Sequence, residues 1–191
     1  MKRVLCIYLL VVSALFISAC AKDDWSGEKS SQNGIYLDGE IIVSLQSAFA
    51  GGSTADPTWG TSHRFHLFEQ KIESCPNWFE VPAVVGIEGF RHSGKEYESL
   101  GKAVDYINLI FPVQIAGLGN TLDIPMEQGK YKGESREVSA VKIIRYSLST
   151  VENSVERKHN NDGEIEIVIT LKDGRSLRIH YHGATPNDNV Y

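Results

Sequence analysis

The chain has 191 residues, with 19 Lys and Arg against 24 Asp and Glu, for a net charge of −5. That length suits a single domain able to bury a sizeable core. An acidic balance with scattered cations excludes the basic footprint of a nucleic-acid-binding protein, so no nucleic acid is expected as a partner.

The chain starts with Lys2 and Arg3, followed by a 13-residue apolar run from Val4 to Phe16 broken only by Ser13. Ile17-Ser18-Ala19-Cys20 comes next. A short positive start, an apolar stretch too brief to span a bilayer comfortably, and small residues before a cut form a secretory signal. The pair Ser18-Ala19 in front of Cys20 resembles the lipobox of bacterial lipoproteins. That resemblance implies a signal peptide over residues 1–19 and a diacylglycerol on the Cys20 thiol, with Cys20 as the first residue after cleavage. The partner it implies is the membrane, reached through the N-terminal lipid. Removal of 19 residues from 191 leaves 172, and loss of Lys2 and Arg3 leaves 17 basic against 24 acidic residues, a net charge of −7. Cys6 leaves with the signal and Cys20 is consumed by the lipid. Cys75 is then alone, so the mature chain has no intrachain disulfide. Ser74-Cys75-Pro76-Asn77 matches no cysteine-enzyme signature.

Residues 20–34 are polar and rich in Ser, Gly and charge, and are expected to be a flexible tether reaching roughly 20 Å. Ala21 stands where enteric lipoproteins retained at the inner membrane carry an aspartate. Lys22-Asp23-Asp24 resembles the acidic export signal of surface lipoproteins of the Bacteroidota type. The localisation this implies is lipid-anchored at the outer membrane and exposed on the cell surface.

Residues 35–191 have a β texture. Ile41 to Leu45, after Asp38-Gly39, reads as the first strand. Ala50 to Pro57 is a loop by composition. Arg64 to Glu69 reads as a short strand, Glu73 to Pro82 as irregular, Ala83 to Ile87 as a strand, and Gly89 to Gly101 as a loop. Tyr106 to Ile115 is the longest apolar stretch after the signal, and Ile107, Leu109, Phe111, Val113 and Ile115 share a face at period two. Pro112 cannot donate to a ladder, which predicts an edge or a bulge there. Leu122 to Ile124 is a further short strand before the turn-rich stretch Glu127 to Gly133.

Glu137 to Val151 is ambiguous. Val141, Ile144, Leu148, Val151 and Val155 have helical spacing, but Val, Ile, Tyr, Ser and Thr crowd the stretch and favour strands. It is read as a strand whose buried face shifts near Ile143-Ile144. His159 to Gly163 is a turn cluster.

Glu164 to His182 predicts a hairpin. Ile165, Ile167, Ile169 and Leu171 alternate, and so do Leu177, Ile179 and Tyr181. A two-residue Asp173-Gly174 loop would set Thr170 against Leu177 and split the apolar side chains between faces. A three-residue loop, Lys172-Asp173-Gly174, pairs Ile169 with Leu177, Ile167 with Ile179 and Ile165 with Tyr181. A one-residue slip would expose the whole apolar set, so this register is expected, with Gly174 left-handed in a bulge. It places Glu166 opposite His180 and Glu164 opposite His182 on the outer face.

These four residues are the candidate metal ligands, since His180 and His182 point the same way on a strand. Cupins also present such a pair. Here the glutamate and second histidine motif of cupins are missing, and solvated cross-strand pairs account for the same residues. His63 and His66 fall on opposite faces of a strand. No G-x-S-x-G, phosphate-binding glycine loop or H-E-x-x-H occurs, so no catalytic residue is assigned and no cofactor is implied. Trp59 and Trp78 lie in expected loops and are the candidate ligand-binding residues, as platforms for sugar rings; core plugs are the alternative.

Together these readings predict a mainly β, single-domain antiparallel β-sandwich or jelly-roll-like fold. The whole resembles surface lipoproteins of the Bacteroidota type. The expected role is a non-catalytic binding or adhesion module for a glycan or an outer-membrane protein partner. The alternatives are a metal-assisted hydrolase using His180 and His182, and a structural assembly component.

Overall fold

The computed structural model describes residues 32–52, 60–73, 81–92, 99–148 and 162–185. Residues Gln32–Tyr191 belong to one compact unit. Eleven strands among the described residues form two antiparallel sheets packed face to face, a β-sandwich. The strands are β1 (Gly34–Leu37), β2 (Glu40–Ser44), β3 (Ser47–Gly52), β4 (Gly60–Phe68), β5 (Val85–His92), β6 (Val104–Ile115), β7 (Gly119–Glu127), β8 (Lys130–Tyr131), β9 (Val138–Leu148), β10 (Asp162–Leu171) and β11 (Ser176–Ala184). One sheet has the order β2-β1-β11-β10-β9, and the other runs β3-β4-β5-β6-β7-β8. Six consecutive strands thus meander through one sheet, without the strand exchange between sheets that marks a jelly roll.

Period-two patterning builds the core. Phe65 and Leu67 of β4, Val85 and Ile87 of β5, Ile107 and Leu109 of β6, and Leu122 and Ile124 of β7 face inward from the larger sheet. Ile35, Ile165, Ile167, Ile169, Leu177 and Ile179 face them from the smaller one. Aromatic rings bridge the two layers, with Phe65 6.1 Å from Tyr181 and 6.3 Å from Tyr146 between centroids. Each fully buried side chain of this size stabilises the fold by about 1.5–3 kcal/mol relative to exposure.

The C-terminal hairpin has the expected register. Ile169 opposes Leu177, Ile167 opposes Ile179, and Ile165 opposes Tyr181. The Leu171 N–H donates to the Arg175 carbonyl at 2.8 Å, and Gly174 sits at φ +90°. That geometry is the three-residue loop with a glycine bulge. The face shift in β9 is also present: Glu166 pairs with Arg145 and Ile167 with Ile143, so Ile144 bulges out and is 45% exposed.

Several expectations are corrected. A four-residue strand, β1, precedes the expected first strand, and Asp38 and Gly39 (φ 50° and 90°) close the two-residue turn between β1 and β2. Both positive φ values suit an Asp-Gly type I′ turn. Gly34, expected to end the tether, instead opens β1, and Asn33 before it is held against β11. Asn33 receives the His182 N–H at 2.8 Å and donates to the His182 carbonyl at 3.0 Å. Ala50–Gly52 continue β3, Gly89–His92 continue β5, and Asp162–Gly163 open β10, where loops or turns were expected. The rest of the 50–57, 89–101 and 159–163 stretches falls mostly outside the described residues. Pro112 lies in a register irregularity between Ile110 and Ile115, as its missing donor requires. The irregularity turns Val113 outward to 73% exposure, where an inward position was expected.

Candidate functional site

The outer face of the six-stranded sheet carries an ordered polar arrangement. Strand pairing sets its rows. Arg64, Glu88, Tyr106 and Pro125 form one row across β4, β5, β6 and β7. His66, Gly86, Asn108 and Asp123 form the next. The inward neighbours Phe65, Ile87, Ile107 and Ile124 hold these strands to the core, so alternation sends the polar residues outward.

Asp123 is the fixed point of the face. The Asn108 amide donates to its Oδ1 at 2.7 Å, and the Tyr106 hydroxyl donates to the same oxygen. That hydrogen bond, followed by burial and the charges of Asp123 and Glu88, pushes the Tyr106 phenol up to about 12. Tyr106 therefore stays a donor at any physiological pH. Arg64 and Glu88 pair at 3.5 Å along the neighbouring row. Burial, and then the charge of Arg64, pushes the His66 imidazole down to about 4, so its ring is neutral at pH 7.

Between His66 and Asn108 the row dips, because Gly86 has no side chain. A Cβ there would meet the His66 ring at 3.6 Å and the Asn108 Cβ at 4.0 Å, both ordinary contact distances. The gap is a shallow trough floored by the β5 backbone and flanked by the His66 ring and the Asn108 Cβ. Beyond it, Phe68, Val81, Pro82, Val84, Ile110 and Pro112 line an apolar cavity of about 150 Å³. Aromatic ring, carboxylate, amide, imidazole and a small apolar cavity thus share one face, which is exposed at Asp123 and closed at its β3–β4 side, where Phe68 and Phe49, the partner of His66 in the ladder, are buried.

The four candidate metal ligands lie on the outer face of the other sheet, in the expected pairs Glu164–His182 and Glu166–His180. Arginines, however, occupy the carboxylates. Arg178 donates twice to Glu166 Oε1, at 2.9 and 3.1 Å, and Arg145 donates to Glu164 at 2.5 Å. Glu166 and Arg178 keep only 14% and 15% side-chain exposure, and Arg178 also stands 5.8 Å over the Tyr36 ring. The expectation of simple solvated pairs is corrected for Glu166: its partner is a half-buried arginine two residues along β11, reached diagonally. Burial and the charge of Arg178 lower the His180 pKa. Among the described residues no group of three or more His, Cys, Asp or Glu side chains is placed to hold a metal ion.

His63 and His66 do fall on opposite faces of β4: His63 is fully buried, and His66 belongs to the polar row outside. Cys20, Trp59, Cys75 and Trp78 lie outside the described residues. Sequence reasoning missed Tyr106, Asn108 and Asp123. The one signal was the polar alternates Tyr106, Asn108 and Asp123 interleaved with the apolar residues of two adjacent strands. Comparison of the chain with protein-family models, with curated proteins and with solved structures found no match.

Proposed function

We propose that the protein is a lipid-anchored, surface-exposed module of the outer membrane that binds a glycan without transforming it. The anchor follows from the lipobox-like Ser18-Ala19-Cys20, and the outward display from Lys22-Asp23-Asp24. The observation that carries the binding role is Asp123, held by Tyr106 and Asn108 at the edge of the Gly86 trough. Exposed polar networks contribute little to stability. Their value lies in holding groups ready for a ligand, which lowers the ordering cost of binding.

The chemistry of the face suits a polyhydroxylated ligand. The Tyr106 and Asn108 bonds to Asp123 both reach Oδ1, which leaves Oδ2 to accept from sugar hydroxyls. Asn108 spends one N–H on Asp123 and keeps its carbonyl as an acceptor. The half-buried Tyr106 ring supplies an apolar surface for the carbon face of a sugar.

The test is calorimetric titration of the full chain, solubilised in detergent, with soluble oligosaccharides. Binding is expected without release of shorter products. Asp123→Ala should weaken it by about tenfold or more, the loss of a charge-assisted hydrogen bond. Binding unaffected by Asp123→Ala, or oligosaccharides cleaved during the titration, would contradict the proposal.

A further inference from the structure

Resting on the glycan reading above, we infer that the ligand carries N-acetyl groups, and that the cavity beside the trough takes their methyl. Trough and cavity are adjacent steps of one surface. Phe68 follows His66 by two residues on β4, and Ile110 follows Asn108 by two on β6, so the cavity lies about 7 Å along the strands from the trough floor. A sugar ring seated over Gly86 brings a ring substituent to the cavity mouth. A bare hydroxyl directed there would meet Phe68, Val84, Ile110 and Pro112 and lose its hydrogen bonds to water without replacement. A methyl group gains from the same wall. Glu69 and Gln70 supply the polar part of the lining, where the amide of an acetamido group needs partners.

The cavity wall is built, not incidental. The Ser47 hydroxyl donates to the Gln70 carbonyl at 2.6 Å and receives the Ile72 N–H at 3.2 Å. Ser47 is itself 9% exposed, so the segment carrying Glu69 and Gln70 is tied to β3 by a buried hydroxyl. On the far side, the Ile110 N–H donates to the Val84 carbonyl at 2.9 Å, which fixes the Pro82–Val84 stretch against β6. An extended peptide is the poorer occupant. Strands β4, β5 and β6 are paired on both sides, so the trough offers no free backbone edge to a peptide, only side chains.

Two series of β-1,4-linked oligosaccharides separate the claims: cello-oligosaccharides, with a hydroxyl at C2, and chito-oligosaccharides, with an acetamido group there. With the detergent-solubilised full chain, the acetylated tetramer should bind about tenfold or more tighter, the discrimination an apolar pocket gives a methyl-sized group. Ile110→Trp, which fills the cavity, should erase that preference. Ile110→Gln, which keeps the volume and makes the wall polar, is the second variant and should shrink it. Equal binding of both series, or a preference that survives both substitutions, overturns the inference alone. Binding of neither series overturns the glycan reading and the inference with it.

Discussion

His63 and Tyr146 meet inside the sandwich with ring centroids 5.7 Å apart, one from each sheet, and among the described residues neither the His63 nitrogens nor the Tyr146 hydroxyl has a hydrogen-bond partner. Burial, reinforced by the charge of Arg91, pushes the His63 imidazole down to about 4, and burial drives the Tyr146 phenol upward. Both rings are therefore neutral in the folded protein at pH 7. The unfolded chain, with an ordinary histidine near 6.5, binds the proton that the folded state refuses.

Stability should consequently be full above about pH 6.5 and fall as pH drops toward 4, because the unfolded state takes up more protons in that window. His63 alone should remove about 2 kcal/mol between pH 7.5 and pH 5. The His66 ring adds to the same slope, by less because it is partly exposed. Urea midpoints at the two pH values check this. His63→Leu should flatten the slope, and an unchanged slope would show that His63 is not the group being protonated.

Gly89 explains why that histidine fits. A Cβ at Gly89 would lie 2.0 Å from the Ala103 carbonyl oxygen and 2.3 Å from His63 Cε1. Gly89→Ala should therefore destabilise by about 2 kcal/mol or more, since the backbone must shift to relieve the overlap. The double variant Gly89→Ala, His63→Ala should recover only part of it, because the Ala103 clash remains. Thermal melts of the two variants beside the unaltered chain decide the point.

The C-terminal hairpin separates two kinds of energy. Ile167→Ala empties a fully buried core position and should cost about 2–5 kcal/mol. Glu166→Ala removes the oxygen that accepts two hydrogen bonds from the half-buried Arg178 and should cost about 2 kcal/mol. His182→Ala, at an exposed position, should stay below about 1 kcal/mol. Chemical denaturation of the three variants ranks them. A Glu166→Ala cost as small as that of His182→Ala would mean that the Arg178 pair contributes nothing net.

Membrane attachment has its own test. Under the proposed anchor, Cys20→Ser should move the protein from the membrane fraction to the soluble one, because a diacylglycerol on that thiol would supply the two chains that stable anchoring needs. Persistence in the membrane fraction would remove Cys20 as the anchor. Protease added to intact cells should degrade the chain if it is displayed outward.

The parts of the fold readable in advance were those where local pattern and long-range pairing coincide. The β10–β11 register followed from seven apolar residues that had to share one face across a short loop. The Ile143-Ile144 shift followed from a broken alternation within one strand. Strand β1 escaped notice because Gly34-Ile35-Tyr36-Leu37 is too short to show a period, and its place between β2 and β11 is set by residues more than a hundred positions away. The candidate binding face was harder still. Its polar residues come from four strands, and each is locally indistinguishable from an ordinary solvated position. Only the registers 66–86–108–123 and 64–88–106–125 bring them together. The arginine partners of Glu164 and Glu166 were hidden for a related reason: Arg178 acts diagonally, and Arg145 sits on a strand whose bulge sets its position.

The trough over Gly86 is the most direct point of attack on the proposed role. A Cβ there meets its neighbours at ordinary contact distances of 3.6 Å or more. Gly86→Ala should keep the oligosaccharide affinity within a few fold, whereas Gly86→Leu should fill the trough and weaken binding by about a hundredfold, with the melting temperature held. Full affinity in a folded Gly86→Leu protein would show that the ligand does not lie on this face.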